Sequence, residues 1–317
     1  MIINGYRIIG ELRTAGSGYA RWGFARKDGI DVFIKEFLSP VYPPDDAEMS
    51  KENMDKKRKI CFDFEREKRT LYREIDKCRT GNIIPILDFF RHGSKYYVVT
   101  EKIDAETTDA HDICAFTDYQ KILLVKIILD CIGSLHRNGV VHGDIKPDNI
   151  LVKKTAKGSY TAKIIDFDSS FLEYNSPDNH TDVQGDPVYM APETFLFMAE
   201  EDVKLTSKVD VFALGLLFHL YYCGRLPAFN TERYDYAFEA VLNGEILGID
   251  PGIPDDMGQI TVSMLRRDPD QRPGLDEIFR FLTIDSVTKE RFSVAEENTA
   301  EDRGLLVSKL KFSKNMR

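Results

Sequence analysis

The sequence predicts an α+β chain built in two lobes, a small one of mainly antiparallel strands with one long helix and a larger one of mainly helices. Length is the first reason: 317 residues exceed what a single hydrophobic core usually serves, so two lobes or two domains are expected. Pattern is the second. Up to residue 101 the apolar residues fall mostly in short strand-like runs, with one helical stretch over 50–77, whereas beyond it they mostly recur at helical intervals or fill a helix all round. Composition is the third, since 43% hydrophobic and 30% charged residues match a folded, well-solvated globular protein.

Taken in order, residues 6–12 and 19–26 read as paired strands with Gly16 and Gly18 in the turn between them, where glycines let backbone N–H groups approach phosphate oxygens. Lys27-Asp28-Gly29 is a tight-turn signal into a third strand over 31–37. Pro40, Pro43 and Pro44 then break the chain, and residues 50–77 become densely charged with Phe64, Leu71 and Ile75 at helical spacing. Two further strands, 83–90 and 95–100, flank the turn at Arg91-His92-Gly93-Ser94. In the second lobe Ile122, Val125, Leu129, Ile132 and Leu135 mark an amphipathic helix over 119–138 that Gly139 stops. Short strands at 150–152 and 163–165 surround Lys157-Gly158-Ser159, and residues 211–222 are apolar nearly all round, as in a buried central helix.

Charge and cysteine usage exclude several classes of function. A net charge of -9 argues against a dedicated nucleic-acid binder, whose phosphate contacts call for a basic face. Cys61, Cys78, Cys114, Cys131 and Cys223 are odd in number and widely spaced, which fits the reduced thiols of a cytoplasmic protein better than a disulfide framework or a zinc site. Residues 1–7 do not lead from a basic segment into a long apolar run, so neither a signal peptide nor a membrane span is expected.

The chemistry concentrates in Val141-His142-Gly143-Asp144-Ile145-Lys146-Pro147-Asp148-Asn149-Ile150-Leu151, a polar stretch clamped between an apolar helix end and an apolar strand. Asp144 can accept the proton of an attacking hydroxyl, Lys146 can neutralise a moving phosphoryl group, and Asn149 can offer a neutral oxygen to Mg²⁺. A hard cation also needs a carboxylate. Asp166, in Ile164-Ile165-Asp166-Phe167-Asp168, follows the next apolar strand and is the expected anionic ligand.

These residues resemble the catalytic loop and metal-binding segment of eukaryotic-type serine/threonine protein kinases, in a variant lacking the arginine usual before the catalytic aspartate. Gly185-Asp186-Pro187-Val188-Tyr189-Met190-Ala191-Pro192-Glu193 is similar to the segment that closes a kinase activation loop, and Val32-Phe33-Ile34-Lys35 to the strand carrying the ATP lysine. The resemblance implies a two-lobed kinase fold: residues 1–101 as nucleotide-binding lobe, 102–284 as catalytic and substrate-binding lobe with the hinge at its start, and 285–317 as a tail. It implies transfer of the γ-phosphoryl group of ATP, with Mg²⁺, to serine or threonine hydroxyls of a protein substrate. Asp144 and Lys146 then act in catalysis, and Asn149 and Asp166 hold the metal. The nucleotide falls to Gly16, Gly18, Lys35, the hinge residues Glu101 and Ile103 beside a gatekeeper Thr100, and Glu67 of the charged helix. Glu67 is expected to pair with Lys35, with Glu65 and Glu74 as rivals. The resemblance also makes His142 a structural support of the loop, Asp210 the anchor of its backbone, and Arg272 the partner of Glu193.

Four departures from the family pattern stand out. Gly143 replaces the usual arginine, Asp168 replaces the glycine after Asp-Phe, and the glycine-rich turn fits the family's spacing in no register. Asp186 replaces a threonine and is expected to salt-bridge Lys146. Two other readings follow. His142-Gly143-Asp144 and Ile165-Asp166-Phe167-Asp168 share their spelling with small-molecule kinases of the aminoglycoside or choline type, and the departures suit a pseudokinase scaffold, although Lys35, Asp144, Asn149 and Asp166 all persist.

Overall fold

The computed structural model describes residues 1–14, 20–78, 80–103, 108–155, 158–180 and 183–282. Six antiparallel strands make the first sheet: β1 (Ile2–Ile3), β2 (Tyr6–Arg13), β3 (Ala20–Lys27), β4 (Ile30–Phe37), β5 (Ile86–His92) and β6 (Lys95–Glu101), in the order β1-β2-β3-β4-β6-β5. Two hairpins are set by their turns. Asp28 (φ 52°) with Gly29 (φ 82°), and Asn4 (φ 48°) with Gly5 (φ 84°), put two successive residues in the left-handed region that matches the twist of paired strands. The second of these, Asn4-Gly5, creates the short β1 and carries the same sequence signal as Asp28-Gly29. Gly16 and Gly18 lie outside the described residues.

The expected strand over 83–90 begins only at Ile86, and Pro85 is the cause, because a proline has no N–H to give to a ladder. The residues before it go elsewhere: Ile84 N–H donates to Ile164 O (2.9 Å) and Ile164 N–H to Asn82 O (2.7 Å). These bonds tie the small lobe to a strand of the large one.

Strand alternation divides the sheet's side chains between two cores. Ile8, Ala25, Val32, Ile34, Tyr97 and Val99 close on one side. Phe37, Phe89, Tyr96 and Val98 face the other, toward helix α1 (Lys51–Lys77), and join Cys61, Leu71, Tyr72 and Ile75. Ser50 caps α1 by accepting from Asn53 N–H. Lys35 falls on the same face of β4 as Phe37, so the alternation that buries Phe37 also turns Lys35 toward α1.

The larger lobe is built on α2 (Asp118–Arg137) and α4 (Lys208–Cys223). Thr117 and Gln120 form a reciprocal capping box at the start of α2, and Gly224 (φ 71°) ends α4 in the left-handed conformation. Residues 209–221 of α4 are buried without a break, as the all-round apolar pattern predicts. Two short ribbons lie above these helices, β7 (Val140–Val141) with β10 (Phe171–Leu172) and β8 (Ile150–Lys154) with β9 (Tyr160–Ile164). Helices α3 (Pro192–Met198), α5 (Ala237–Leu242), α6 (Asp255–Met264) and α7 (Leu275–Phe281) complete it. Among the described residues no helix is long and apolar enough to cross a membrane.

Candidate active site

The loop between β7 and β8 is held from below by one buried carboxylate. Asp210, in the first turn of α4, accepts from His142 N–H (2.8 Å) and Gly143 N–H (2.9 Å), and its Oδ2 also meets His136 Nε2 at 2.8 Å. Burial opposes its charge, but the His136 contact keeps its carboxyl below the usual range. His142 is itself buried. Its Nε2–H faces Ile165 O (3.1 Å) and its Nδ1 accepts from Asp144 N–H (3.3 Å), which fixes the tautomer and spends both ring nitrogens on the loop. It is a support, as expected.

Asp144 stands above this base with both carboxylate oxygens engaged. Oδ2 accepts from Asn149 Nδ2 (2.9 Å) and pairs with Lys146 Nζ (2.9 Å), while Oδ1 accepts from Asp186 N–H (3.1 Å). Lys146 is held protonated: burial opposes its charge, and the bond to Asp144 outweighs it. The expected contact between Lys146 and Asp186 is present at 3.9 Å, well outside the Asp144 pair, and Asp186 Oδ1 caps Val188 N–H instead. Asn149 gives its amide N–H₂ to Asp144, to the main-chain oxygen (2.7 Å) as well as the carboxylate, so its own amide oxygen is what remains for a cation.

The β8–β9 ribbon pairs Ile150 with Ile164, and Ile165 N–H donates to Asn149 O (3.0 Å). That register sets Asn149 beside the segment carrying Asp166. Asp166 adopts φ 64°, a strained conformation for a residue with a Cβ, and Phe167 after it is buried with its ring 5.2 Å from His142. Lys35 reaches across from β4, its Nζ 2.8 Å from both Asp166 Oδ1 and Asp168 Oδ2. Burial opposes the charge of this lysine, but the two carboxylates outweigh it and raise its pKa far above the ordinary value. In return Lys35 holds the half-buried Asp166 ionised below the usual carboxylate range. Asp168 is pushed up by burial and by Asp166, and pulled back by Lys35 and Lys68.

The expected pairing of Lys35 with Glu67 is corrected here. Among the described residues the anions on Lys35 are Asp166 and Asp168; the Glu67 side chain is 57% exposed and lies 3.8 Å from Arg66. Nor do the rivals replace it, since Glu65 pairs with Arg69 and Glu74 with Lys77. The residue that α1 sends into the site is Lys68, whose Nζ donates to Asp168 O at 2.7 Å. The reason is rotation. Cys61 and Ile75 are buried, each seven residues from Lys68, so Lys68 shares their line along the helix, while Glu67 shares the line of exposed Ile60. That spacing was present in the sequence as the signal for Lys68.

Glu101 ends β6 and its side chain pairs with Lys163 (2.5 Å); Ile103, two residues on, packs partly buried against the main core. Farther off, Arg272 and Glu193 form a buried two-point pair at 2.6 and 2.8 Å, as expected. Asp144, Lys146, Asn149, Asp166 and Lys35 are thus brought into one linked set, Glu101 and Ile103 lie where the strand lobe passes into the helical one, and Glu67 stays outside. An arrangement of this kind can take a proton from a hydroxyl at Asp144 while cations and oxygen ligands gather around a polyphosphate.

Comparison with known proteins agrees with this geometry. The family model for the protein kinase domain matches residues 48–281. A calcium/calmodulin-dependent protein kinase, cmkA, of Emericella nidulans is 27% identical over 222 residues, covering 67% of this chain and 51% of the relative. Calcium-dependent protein kinase 28 of Oryza sativa subsp. japonica is 28% identical over 261 residues, 78% of this chain and 46% of the relative. The serine/threonine-protein kinase CG17528 of Drosophila melanogaster is 30% identical over 207 residues, 63% of this chain and 27% of the relative. The chain spans about half the length of the first two curated relatives and about a quarter of the third. With a two-lobed fold, a carboxylate-centred loop between its ribbons and a family match over most of its length, this chain belongs to the protein kinase family.

Proposed function

We propose that the protein transfers the γ-phosphoryl group of ATP to serine or threonine hydroxyls of protein substrates. The observation that carries this is the Asp144 carboxylate, held on both oxygens by Lys146, Asn149 and the Asp186 N–H, in a set that also contains Asp166 and Lys35. Residues 1–101 hold the nucleotide in this reading, with the Glu101 and Ile103 main chain at the adenine; residues 102–284 carry the acceptor side, and 285–317, outside the described residues, form a tail. Relatives named as calcium-dependent and serine/threonine-protein kinases support a protein acceptor, as does Lys146 two residues after Asp144.

Asp144 accepts the proton of the incoming hydroxyl, and Lys146, tied to its Oδ2, balances charge on the group in transit. Lys35 has three N–H donors and spends two on Asp166 and Asp168, which leaves one for a phosphate oxygen. Mg²⁺ fits the donor set, one carboxylate at Asp166 and one amide oxygen at Asn149, because this ion keeps waters and phosphates for most of its shell. When bound it would neutralise charge on the phosphates. All five cysteines are free, which supports a cytoplasmic setting, and the net negative charge supports a partner other than nucleic acid.

The test is incubation with labelled ATP and Mg²⁺ against a panel of proteins and of small hydroxyl compounds, with Asp144→Asn as control. Label on protein serine or threonine that vanishes in the variant is the expected result; label only on small hydroxyl compounds, or none at all, would overturn the reading.

A further inference from the structure

Two charged residues at the site have no part in the chemistry above. Asp168 stands where the family has a glycine, and Lys68 occupies the inward position of α1. We propose that Asp168 is the positioning carboxylate for Lys35 and that Lys68 is the separate tether joining α1 to the metal-binding segment, so that the task first expected of Glu67 is divided between them. This deepens the kinase reading and rests on it.

The geometry assigns each half on its own grounds. Lys35 Nζ is equidistant, at 2.8 Å, from Asp166 and Asp168, and a lysine ammonium held at two points on one short segment has its third donor aimed by the first two. Asp168 lies two residues past Asp166, so the group that orients Lys35 arrives on the same segment as the metal carboxylate. Helix α1 is not needed to deliver it. Lys68, in contrast, donates to the main-chain oxygen of Asp168, with its Nζ 5.8 Å from the Phe37 ring centroid. A bond to a carbonyl survives any change of the Asp168 side chain. Lys68 is also within electrostatic reach of Asp166, Lys35 and Glu67, and the formal charges of Lys35, Lys68, Asp166 and Asp168 sum to zero. The second lysine balances the second aspartate. A carboxylate at 168 beside Asp166 needs a compensating cation, and α1 supplies it where the family pattern has the helix supply an anion.

The two roles separate in single variants of the full chain. Asp168→Asn should lower kcat/KM for ATP and Mg·ADP affinity by at least about tenfold, and most of that loss should be absent when it is made on Lys35→Met, because the pair acts as a unit. Glu67→Gln should cost at least about fivefold less than Asp168→Asn. Hydrogen exchange in the nucleotide-free protein reads the other half: Lys68→Met should speed exchange of the α1 amides around residues 64–75, and Asp168→Asn should leave them near the parent rate. Asp168→Glu, which keeps the charge, should recover part of the lost affinity. Equal losses in Glu67→Gln and Asp168→Asn, additivity with Lys35→Met, a rise in activity in Asp168→Asn, or unchanged α1 exchange in Lys68→Met would each overturn the proposal. Asp144→Asn run alongside keeps the two readings apart. Phosphorylation that persists in Asp144→Asn sinks the kinase reading, whereas its loss there together with parental behaviour of Asp168→Asn sinks only this one.

Discussion

Residues 142–149 are fixed by bonds within the loop, to the buried carboxylate of Asp210 and to Ile165, Ser170 and Asp186 of the segment that follows, whereas the opposite wall of the site depends on which face a 27-residue helix turns inward. The first kind of constraint is written in short spacings. Asp144, Lys146 and Asn149 meet because they share one loop, and no helix rotation can separate them. The second kind depends on accumulated packing along α1. One residue of rotation is about 100°, enough to exchange a glutamate for a lysine at the site. The same active site thus has one wall set locally and one set by a helix face.

The largest expected effect tests the local wall. Asp144→Asn should reduce phosphoryl transfer by about 10² to 10⁴, the range a positioned general base contributes, with Mg·ADP affinity within about twofold of the parent. Asp166→Asn should weaken nucleotide binding as well, because Asp166 would hold the metal and pairs with Lys35. Steady-state kinetics with parallel binding titrations decides. Parental turnover in Asp144→Asn would remove the loop from the mechanism.

A second prediction concerns stability on each side. Arg272→Ala leaves Glu193 as an uncompensated buried carboxylate beneath the large lobe, and should cost about 3–5 kcal/mol in denaturant unfolding. Arg69→Ala, which breaks an exposed i, i+4 pair on α1, should cost no more than about 0.5 kcal/mol. Similar values for the two would mean that the large-lobe anchor is no deeper than a surface pair.

Gly143→Ala follows with a smaller effect. Gly143 sits at φ 79°, and a Cβ built there would lie 2.5 Å from Ser169 O, so a side chain is strained by conformation and blocked by contact. The conformational part alone should cost about 1–2 kcal/mol. Unfolding curves check it. A variant as stable as the parent would show that the loop relaxes away from Ser169 at no cost.

How much could be read beforehand follows the same division. The strands at 6–12, 19–26, 31–37 and 95–100, helix α2 with its stop at Gly139, the anchoring of the loop by Asp210 and the Glu193–Arg272 pair all rest on periodicity, turn residues or family spacing, and the structure places each accordingly. The apolar run from Ile83 predicts a strand start three residues before the observed one at Ile86, because Pro85 within that run removes a ladder donor. Residue type alone favours Glu67 as the partner of a lysine. Its neighbour Lys68 carries the line from Cys61 to Ile75, a seven-residue spacing that a densely charged helix conceals because so few apolar residues mark the buried face.

The last prediction returns to the local wall and is an expected near-absence of effect: activity does not require phosphorylation of the segment between Asp166 and Glu193. Many kinases use an arginine before the catalytic aspartate to receive a loop phosphate, and position 143 here offers neither the charge nor the room for one, given the Ser169 oxygen against it. No lysine or arginine occurs from Asp166 to Glu193, while Asp168, Glu173, Asp178, Asp182 and Asp186 would repel a phosphate. The segment is docked by other means. Phe171 and Leu172 pair with Val141 and Val140, Ser170 Oγ donates to His142 O (2.8 Å), and Glu173 accepts from Ser207 N–H and Oγ–H (2.7 and 2.9 Å). Ser170 is buried in that role, so its replacement would test the docking and is left out of the variant. Phosphatase-treated enzyme, and a chain combining Ser169→Ala, Tyr174→Phe, Ser176→Ala and Thr181→Ala, should keep initial rates within about threefold of the parent, under 0.7 kcal/mol in barrier. A loss beyond about tenfold, or about 1.4 kcal/mol, would mean that a cation from elsewhere in the fold reads a loop phosphate and that the segment's docking is incomplete without it.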